Sequence, residues 1–438
     1  MPLLIVVLGI LLLFLLIARF KLNAFIAFII VSLGVGLAEG MDLETLVDAI
    51  ESGIGNTLGF LLIILGLGAM LGKLVAESGA AQRITGVLVS RFGKKNVQWA
   101  VVLTGFIVGI PMFYTVGFVI LVPLVFTVAA ATGLPLLYVG MPMLASLSVT
   151  HGYLPPHPAP TAISEIFEAD LGKTLLYGIL IAIPAIAVAG PFLSRFFTKI
   201  PASPLKEFVN PKVLGEAEMP GIRVSIFTAL LPVLLIGLAA LSDLFLPANL
   251  WITKAIQFLG NPVIAMLLSV LVAIYTLGLA RGKTMKEVMT SVGNSVSGIT
   301  MVLLIIAGAG ALKEVLIQSG VSQYIGALLS QSSVSPLILA WGIATVIRVC
   351  VGSATVAGLT AAGIVLPLIG TSGVAPELMV LAIGSGSLML SHVNDSGFWL
   401  FKEYFNLSVA DTLRTWTVME TTVGIMGLIG VLVLDALI

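Results

Sequence analysis

Long apolar stretches, each bounded by charged residues or by Gly and Pro, recur along the whole chain. About 20 apolar residues cross the hydrocarbon core of a bilayer as an α-helix. Eight stretches have the length of such a span and fall near residues 3–18, 23–39, 55–76, 172–195, 222–246, 262–280, 297–317 and 412–436. The pattern therefore predicts an all-α polytopic membrane protein.

Two further apolar regions, residues 97–150 and 336–391, are too long for one helix and are interrupted by Gly, Pro and small polar residues. Irregular backbone at membrane depth is tolerated only where protein or a water-filled cavity satisfies its polar groups. We interpret each region as a re-entrant hairpin followed by an interrupted helix. In chain order, these four elements are predicted at about residues 97–131, 134–168, 336–370 and 375–408.

The chain also repeats itself. Ser146-Leu-Ser-Val-Thr-His is matched by Ser387-Leu-Met-Leu-Ser-His at an offset of 241 residues, and other short matches keep the same order at nearly the same offset. We infer two halves, residues 1–198 and 222–438, joined by a polar cytoplasmic linker at residues 199–221. Each half holds about five predicted crossings and one hairpin, and an odd number of crossings inverts the second half relative to the first. Two inverted repeats are thus expected, with binding sites where discontinuous helices meet near the midplane.

Composition agrees with a membrane protein and excludes several functions. Only 10% of the 438 residues are charged, 59% are apolar, and mean hydropathy is +1.16, far from a soluble domain. Twenty-one basic residues balance 21 acidic ones, so no basic surface for nucleic acid is expected. The single Cys350 and three histidines offer no metal-ligand spacing, and we expect neither a metal nor a cofactor.

The distribution of positive charge predicts the orientation. With an external amino terminus and hairpins that do not cross, 17 of the 21 Lys and Arg residues face the cytoplasm, as the positive-inside rule requires. The acidic stretch at residues 39–51 then lies outside. Ten crossings with both termini outside are the predicted topology.

The hairpin tips supply the first candidate binding residues. Tyr114 and Thr115 lie at the first tip, and Ser353 and Thr355 at the second, each among small residues that let backbone approach a ligand. Their hydroxyls suit a carboxylate or the hydroxyls of a polyol. Close helix packing is the alternative explanation for Gly and Ser at such positions. Arg348 precedes the second tip and either binds a substrate carboxylate, neutralises a nearby acid or snorkels.

The two helix breaks hold all three histidines of the chain. Four prolines within six residues end the first broken helix. Ionisable groups at membrane depth are functional candidates, and histidine titrates near neutral pH. The predicted contacts with substrate in the breaks are His151, Pro155, His392 and Asn394, and the candidate proton carriers are Asp395, His392 and His151. The alternative is that these residues only cap broken helix ends.

Glu420 lies in the last predicted span with threonines around it. Because that span is continuous, we expect a structural pairing for this carboxylate and leave it out of the predicted site.

Four motifs give the chain a family resemblance. They are Phe92-Gly-Lys-Lys-Asn-Val-Gln-Trp, Pro135-Leu-Leu-Tyr-Val-Gly-Met-Pro142, Ser148-Val-Thr-His-Gly-Tyr-Leu-Pro-Pro-His-Pro-Ala-Pro-Thr-Ala162 and Gly172-Lys-Thr-Leu-Leu-Tyr-Gly178. With them the chain resembles, over its full length, the gluconate permease family of the ion transporter superfamily. The resemblance implies proton-driven uptake (symport) of gluconate or a related sugar acid across the bacterial cytoplasmic (inner) membrane. It also implies inverted repeats and a homodimer that works by an elevator motion.

The resemblance leaves the substrate and the proton carrier open. Family members also take idonate, fructuronate or D-serine, and kinship alone does not select among them. An acidic residue commonly follows the first hairpin's tyrosine in the family, where this chain has Thr115, so coupling through that carboxylate is not available here. Two rival functions are an anion channel and an intramembrane enzyme that uses Ser353 or Ser391 with a neighbouring base. No charged ring or nucleophile-elbow motif favours either of them.

Overall fold

The regular structure of the protein is helical, as the computed structural model shows for residues 2–204, 214–247, 249–297, 299–321, 324, 334–370, 373–393 and 395–438. Within these ranges there is no strand, which confirms the predicted all-α class. Six of the described helices are long and apolar enough to cross a membrane: Leu43–Glu77, Tyr114–Thr132, Leu171–Phe197, Ile222–Ser242, Pro262–Arg281 and Val409–Asp435.

The helices are numbered in chain order, and α9, α12 and α19 include the π and 3-10 segments that continue them. Before the linker they are α1 (Pro2–Phe14), α2 (Ala24–Ala38), α3 (Leu43–Glu77), α4 (Ala80–Phe92), α5 (Val97–Gly109), α6 (Tyr114–Thr132), α7 (Leu136–Tyr153), α8 (Pro158–Ile166) and α9 (Leu171–Phe197). After it they are α10 (Ile222–Phe245), α11 (Trp251–Gly260), α12 (Pro262–Arg281), α13 (Met285–Ser297), α14 (Thr300–Gln318), α15 (Pro336–Val351), α16 (Ala354–Val365), α17 (Pro376–Gly386), α18 (Ser396–Tyr404) and α19 (Val409–Asp435).

Helix α3 is longer than its predicted span. It has 35 residues, or about 52 Å at the usual rise per residue, and so exceeds the thickness of a bilayer core. Its start at Leu43 follows from the cap, because Asp42 accepts a hydrogen bond of 2.9 Å from the backbone N–H of Thr45. Buried Leu46 and Ile50 pack this first part against the protein. The prediction of a span beginning near residue 55, with an outer acidic loop before it, was therefore too short.

Both hairpins break where they were predicted to turn. Residues 110–113 separate α5 from α6, with Pro111 in the turn. Gly352, whose φ of 79° lies in the left-handed region, and Ser353 separate α15 from α16. The second arm of the first hairpin, α6, has the length of a complete span. The re-entrant path of the hairpins stays a prediction.

Both broken helices are present as well. Helix α7 ends at Tyr153, and α8 begins at Pro158, where the missing N–H of proline is harmless at the first helical position. In the second half, α17 ends at Gly386 and α18 begins after Asp395, which caps it by accepting from the Gly397 N–H. This break starts earlier than predicted, since the chain already turns at residues 387–390.

Close helix contacts place the two halves against each other. A Cβ atom on Gly53 of α3 would lie 2.5 Å from the carbonyl oxygen of Gly310 in α14, so only glycine allows this approach. Helix α7 meets α19 where the Tyr153 hydroxyl donates to the carbonyl of Val423 at 2.5 Å. A Cβ on Gly427 would overlap the same hydroxyl oxygen. The α7–α19 contact brings together two faces that form one wall of a polar cavity.

The order of elements is the same in both halves. A hairpin, a broken helix and a long helix follow one another as α5 to α9 and again as α15 to α19. The inverted relation of the halves and their limits at residues 198 and 222 stay predictions.

Candidate functional site

A cavity of about 480 Å³ lies where the hairpin tips meet the broken helices. This volume is in the range of small-molecule sites. The residues of the predicted site that line it are Tyr114, Thr115, His151, Arg348, Ser353, Thr355 and Asp395. These seven come from both halves of the chain, so the fold brings together residues that lie at least 197 positions apart in the sequence.

Arg348 and Asp395 form a buried ion pair in this cavity. Arg348, in the last turn of α15, is 3% exposed and donates to the Asp395 carboxylate and to the carbonyl of Gly352. Its Nε is buried and has no hydrogen-bond partner among the described residues. Asp395 also accepts from Ser391 and, at 2.9 Å, from the N–H of Gly397. The pair ties the second hairpin to the second helix break and leaves one guanidinium donor unsatisfied.

Two helix amino termini contribute backbone donors to the same cavity. The first-turn residues of α6, including Tyr114 and Thr115, line it, and so do Ala354 and Thr355 of α16. The first N–H groups of a helix have no intrahelical acceptors and carry partial positive charge. Ser353 caps α16 by accepting from the Val356 N–H at 3.4 Å. With the guanidinium of Arg348, this arrangement favours an anion.

His151 is the histidine that reaches the cavity. It lies in the last turn of α7, its ring centre 5.9 Å from that of Tyr114, and its Nδ1 is buried without a hydrogen-bond partner among the described residues. His157, which does not line the cavity, is 3% exposed and its Nε2 is bonded to the carbonyl of Gly109 at 3.0 Å.

Two predicted contacts, His392 and Pro155, do not line the cavity. His392 is outside the lining because its Nε2 is held by the carbonyl of Val349 at 3.1 Å. Pro155 is buried in the turn between α7 and α8, whereas the cavity meets the preceding turns of α7. Asn394 lies outside the described residues.

The cavity also contains residues that the predicted site left out. Glu420 was expected to have a structural pairing, yet it lines the cavity, where Ser148 of α7 donates to its carboxylate. Trp416, one helical turn earlier, donates to Ser391 Oγ at 2.8 Å and makes an edge-to-face contact with Tyr114, with ring centres 6.1 Å apart. Spacing carried a signal, because Trp416 and Glu420 are four residues apart on one helix face.

Lys73 of α3 and Asn294 and Ser295 of α13 complete the polar lining. Lys73 is paired with Glu77 at 2.9 Å, within α3. The sequence placed this lysine among the cytoplasmic charges, so its presence here bears on the direction in which the cavity opens.

Broken helices around a polar cavity in a multi-pass helical protein define the class of membrane transporters. The GntP family permease model matches residues 1–438, and the chain belongs to that family. It is a permease and not an enzyme.

Several relatives match over the whole chain. The high-affinity gluconate transporter and the Gnt-II system L-idonate transporter of Escherichia coli K12 are each 52% identical to it over 438 residues, with complete coverage of both chains. The gluconate permease of Bacillus subtilis is 48% identical, also with complete coverage.

Two solved structures share the fold. The YdaH transporter of Alcanivorax borkumensis has a TM-score of 0.65 and 18% identity, covering 94% of this chain and 97% of its own. MtrF of Neisseria gonorrhoeae has a TM-score of 0.69 and 17% identity, covering 94% of each chain. At these identities the likeness concerns the fold alone.

Proposed function

We propose that this permease imports gluconate, or a closely related sugar acid, across the cytoplasmic (inner) membrane together with protons. The observation that carries the proposal is the unsatisfied Nε of buried Arg348 beside two helix amino termini. A carboxylate supplies the missing acceptor, and the cavity's hydroxyl groups match the hydroxyls of a sugar acid. The names of the relatives, two gluconate transporters and an L-idonate transporter, support the same substrate class.

In the proposed binding mode, one set of residues contacts the carboxylate of the substrate and another set contacts its hydroxyl groups. Arg348 and the first-turn N–H groups of α6 and α16 hold the carboxylate, while Tyr114, Thr115, Ser353 and Thr355 hydrogen-bond to hydroxyl groups. Idonate differs from gluconate only in the configuration of hydroxyl groups, so the same contacts accept it, and it is the alternative substrate. Among the proton carriers predicted from the sequence, Asp395 and His151 line the cavity, and Asp395 is already paired with Arg348.

With both termini outside, the carboxyl end of α3 lies on the cytoplasmic side, beside α13, whose Ser291 donates to Glu77 of α3. Lys73 of α3 and Asn294 of α13 line the cavity there. On this orientation the structure represents an inward-facing state. Transport then requires the hairpins and broken helices to move as a body against the other helices, the elevator motion that we propose for a homodimer.

Uptake of labelled gluconate into proteoliposomes with an acid outer solution tests the proposal. We expect accumulation that persists without sodium, collapses with a protonophore and is inhibited by unlabelled idonate. Accumulation that ignores the proton gradient refutes symport. Ohmic currents through a planar bilayer would instead support an anion channel.

A further inference from the structure

Glu420 is the carboxylate in the cavity that lacks a cation. It is 2% exposed, and Ser148 donates to its Oε1. Across the residues that the structure describes, no lysine, arginine or histidine lies within ion-pair distance of it, whereas Asp395 is paired with Arg348 and Glu77 with Lys73. The charges of the cavity are therefore matched in pairs except for Glu420.

An ionised carboxylate in this position is expensive. Removing a carboxylate from water without a cation costs several kcal/mol or more, a cost that the protonated carboxyl avoids. The hydroxyl of Ser148 suits both forms, because it donates to a carboxylate and accepts from a carboxylic acid. The site can therefore hold Glu420 with or without its proton through one unchanged neighbour.

The charged and titratable groups that interact electrostatically with Glu420 come from four elements. They are Arg348 of α15, Asp395 of the second break, Tyr114 of the first hairpin and Tyr153 of α7. Arg348 favours the ionised form and Asp395 opposes it, and the two charges are already joined to each other. Helices α9 and α17 also pack against α19, and within the described residues they add no charged group to these interactions.

We propose that Glu420 binds and releases the co-transported proton. The proposal rests on the function proposed above and concerns the same cavity. A sugar-acid anion brings one negative charge beside the Arg348–Asp395 pair, so an ionised Glu420 would place two unmatched negative charges in one buried cavity. Protonation of Glu420 removes one of these charges. The bound proton therefore raises the affinity for the anion, and the bound anion raises the affinity for the proton by the same factor.

The release step follows from the same linkage. Once the anion leaves for the cytoplasm, the neighbouring negative charge that held the proton on Glu420 is gone, and the proton passes from the carboxyl oxygen to water. The carboxyl O–H bond breaks, its electron pair stays on the carboxylate, and an O–H bond to water forms. The empty cavity then carries the ionised carboxylate, hydrogen-bonded to Ser148. When the cavity has returned to the acid outer side, this carboxylate takes up the next proton.

The test compares Glu420→Gln, Glu420→Asp and Glu377→Gln as full-length proteins in proteoliposomes. Glu377 is a matched control, because it is also a buried carboxylate, 8% exposed, but lies in α17 outside the cavity lining and accepts from the Asp170 N–H. Two transport modes are measured, accumulation of labelled gluconate driven by an inward proton gradient and gluconate exchange at equal pH. Proton uptake on gluconate binding is followed with a pH indicator in weakly buffered detergent solution.

We expect Glu420→Gln to lose gradient-driven accumulation and proton uptake on binding while it keeps exchange, reduced at most several-fold. Glu420→Asp should restore coupling, and Glu377→Gln should behave as wild type. Gradient-driven accumulation or proton uptake by Glu420→Gln overturns the proposal. So does loss of gluconate binding in Glu420→Gln with rescue by Glu420→Asp, because the carboxyl would then be a substrate contact.

Two further outcomes are informative. If Glu420→Gln aggregates, the pH profile of gluconate exchange is compared between Glu420→Asp and wild type instead. The shorter side chain withdraws from Ser148 and should shift the pH of half-maximal exchange, so an unchanged profile overturns the proposal. Wild-type protein that takes up no gluconate under any gradient refutes the proposed function itself, which separates that failure from a failure of the Glu420 assignment.

Discussion

Nε2 of His157 lies 3.0 Å from the carbonyl oxygen of Gly109, so the proline-rich break of the first half is bonded to the end of the first hairpin arm. His392 makes the corresponding contact in the second half, 3.1 Å from the carbonyl oxygen of Val349 near the end of α15. Because a carbonyl only accepts, each ring nitrogen is the donor. Two of the three histidines thus join a broken helix to its hairpin.

Replacement of His157 by alanine tests this joining role. The change removes one of two donors to the buried carbonyl of Gly109, which keeps the N–H of Met112 at 3.1 Å, and we expect a loss of about 1 kcal/mol in stability. The melting temperature in detergent should fall, and the maximal uptake rate should fall with little change in KM, since His157 does not line the cavity. A raised KM with unchanged melting temperature would place His157 in substrate binding instead.

The crossing of α3 with α14 gives a prediction with an internal control. A methyl group on Gly53 would meet the carbonyl oxygen of Gly310 at 2.5 Å, so Gly53→Ala must push the helices apart. We expect a destabilisation of about 1–3 kcal/mol, measured by thermal unfolding in detergent. Gly59 lies on the same helix with no atom within 4 Å of its Cβ position, so Gly59→Ala should leave the melting temperature unchanged or raise it. Equal behaviour of the two variants would contradict the close crossing.

The helix breaks were predictable from the sequence because their causes are local. Proline cannot donate a backbone hydrogen bond, and the run from Pro155 to Pro160 ends α7 whatever surrounds it. Gly352 likewise takes a positive φ that other residues adopt at a cost. Polar groups are placed at membrane depth where helices break. For this reason the cavity is lined by the four predicted tip residues and by both members of the Arg348–Asp395 pair.

Membership of the cavity was less predictable where it depends on helix packing. Glu420 lies in a continuous helix, and only the contact between α7 and α19 brings it to Ser148, 272 residues away in sequence. No local pattern records that contact. His392 shows the opposite case, since its position in a break suggested the cavity but its ring turns to the Val349 carbonyl.

Arg348→Lys should weaken gluconate affinity. Lysine keeps the charge but cannot hold Asp395, the Gly352 carbonyl and a carboxylate at once, as the planar guanidinium can. Loss of a charge-assisted hydrogen bond predicts a rise in KM of roughly 10- to 100-fold. Arg414→Lys is the control, because the side chain of Arg414 is 75% exposed and makes only a long ion pair with Asp411, at 3.9 Å. An unchanged KM in Arg348→Lys would remove this residue from the site.

Asp395→Asn separates the charge of this residue from its capping role. Asparagine can still accept from the Gly397 N–H, so α18 should keep its start. The guanidinium of Arg348 loses its counterion, and a bound anion replaces it. We expect gluconate binding, measured by calorimetry, to persist or tighten while net uptake is abolished or no longer follows the proton gradient. Wild-type uptake in this variant would show that the ion pair plays no part in the cycle.

Two exposed residues report the orientation of the chain, one before the first hairpin and one after the first broken helix. Lys94 precedes α5 and Glu168 follows α8, and both are exposed. In a Cys350→Ser background, Lys94→Cys should react with a membrane-impermeant maleimide only after the cells are opened, whereas Glu168→Cys should react in intact cells. The expected difference follows from the positive-inside distribution, since Lys94 lies among five basic residues between positions 73 and 95. The reversed labelling pattern would show that the chain has the opposite orientation. The cavity beside Lys73 would then open to the outside, and the structure would represent an outward-facing state.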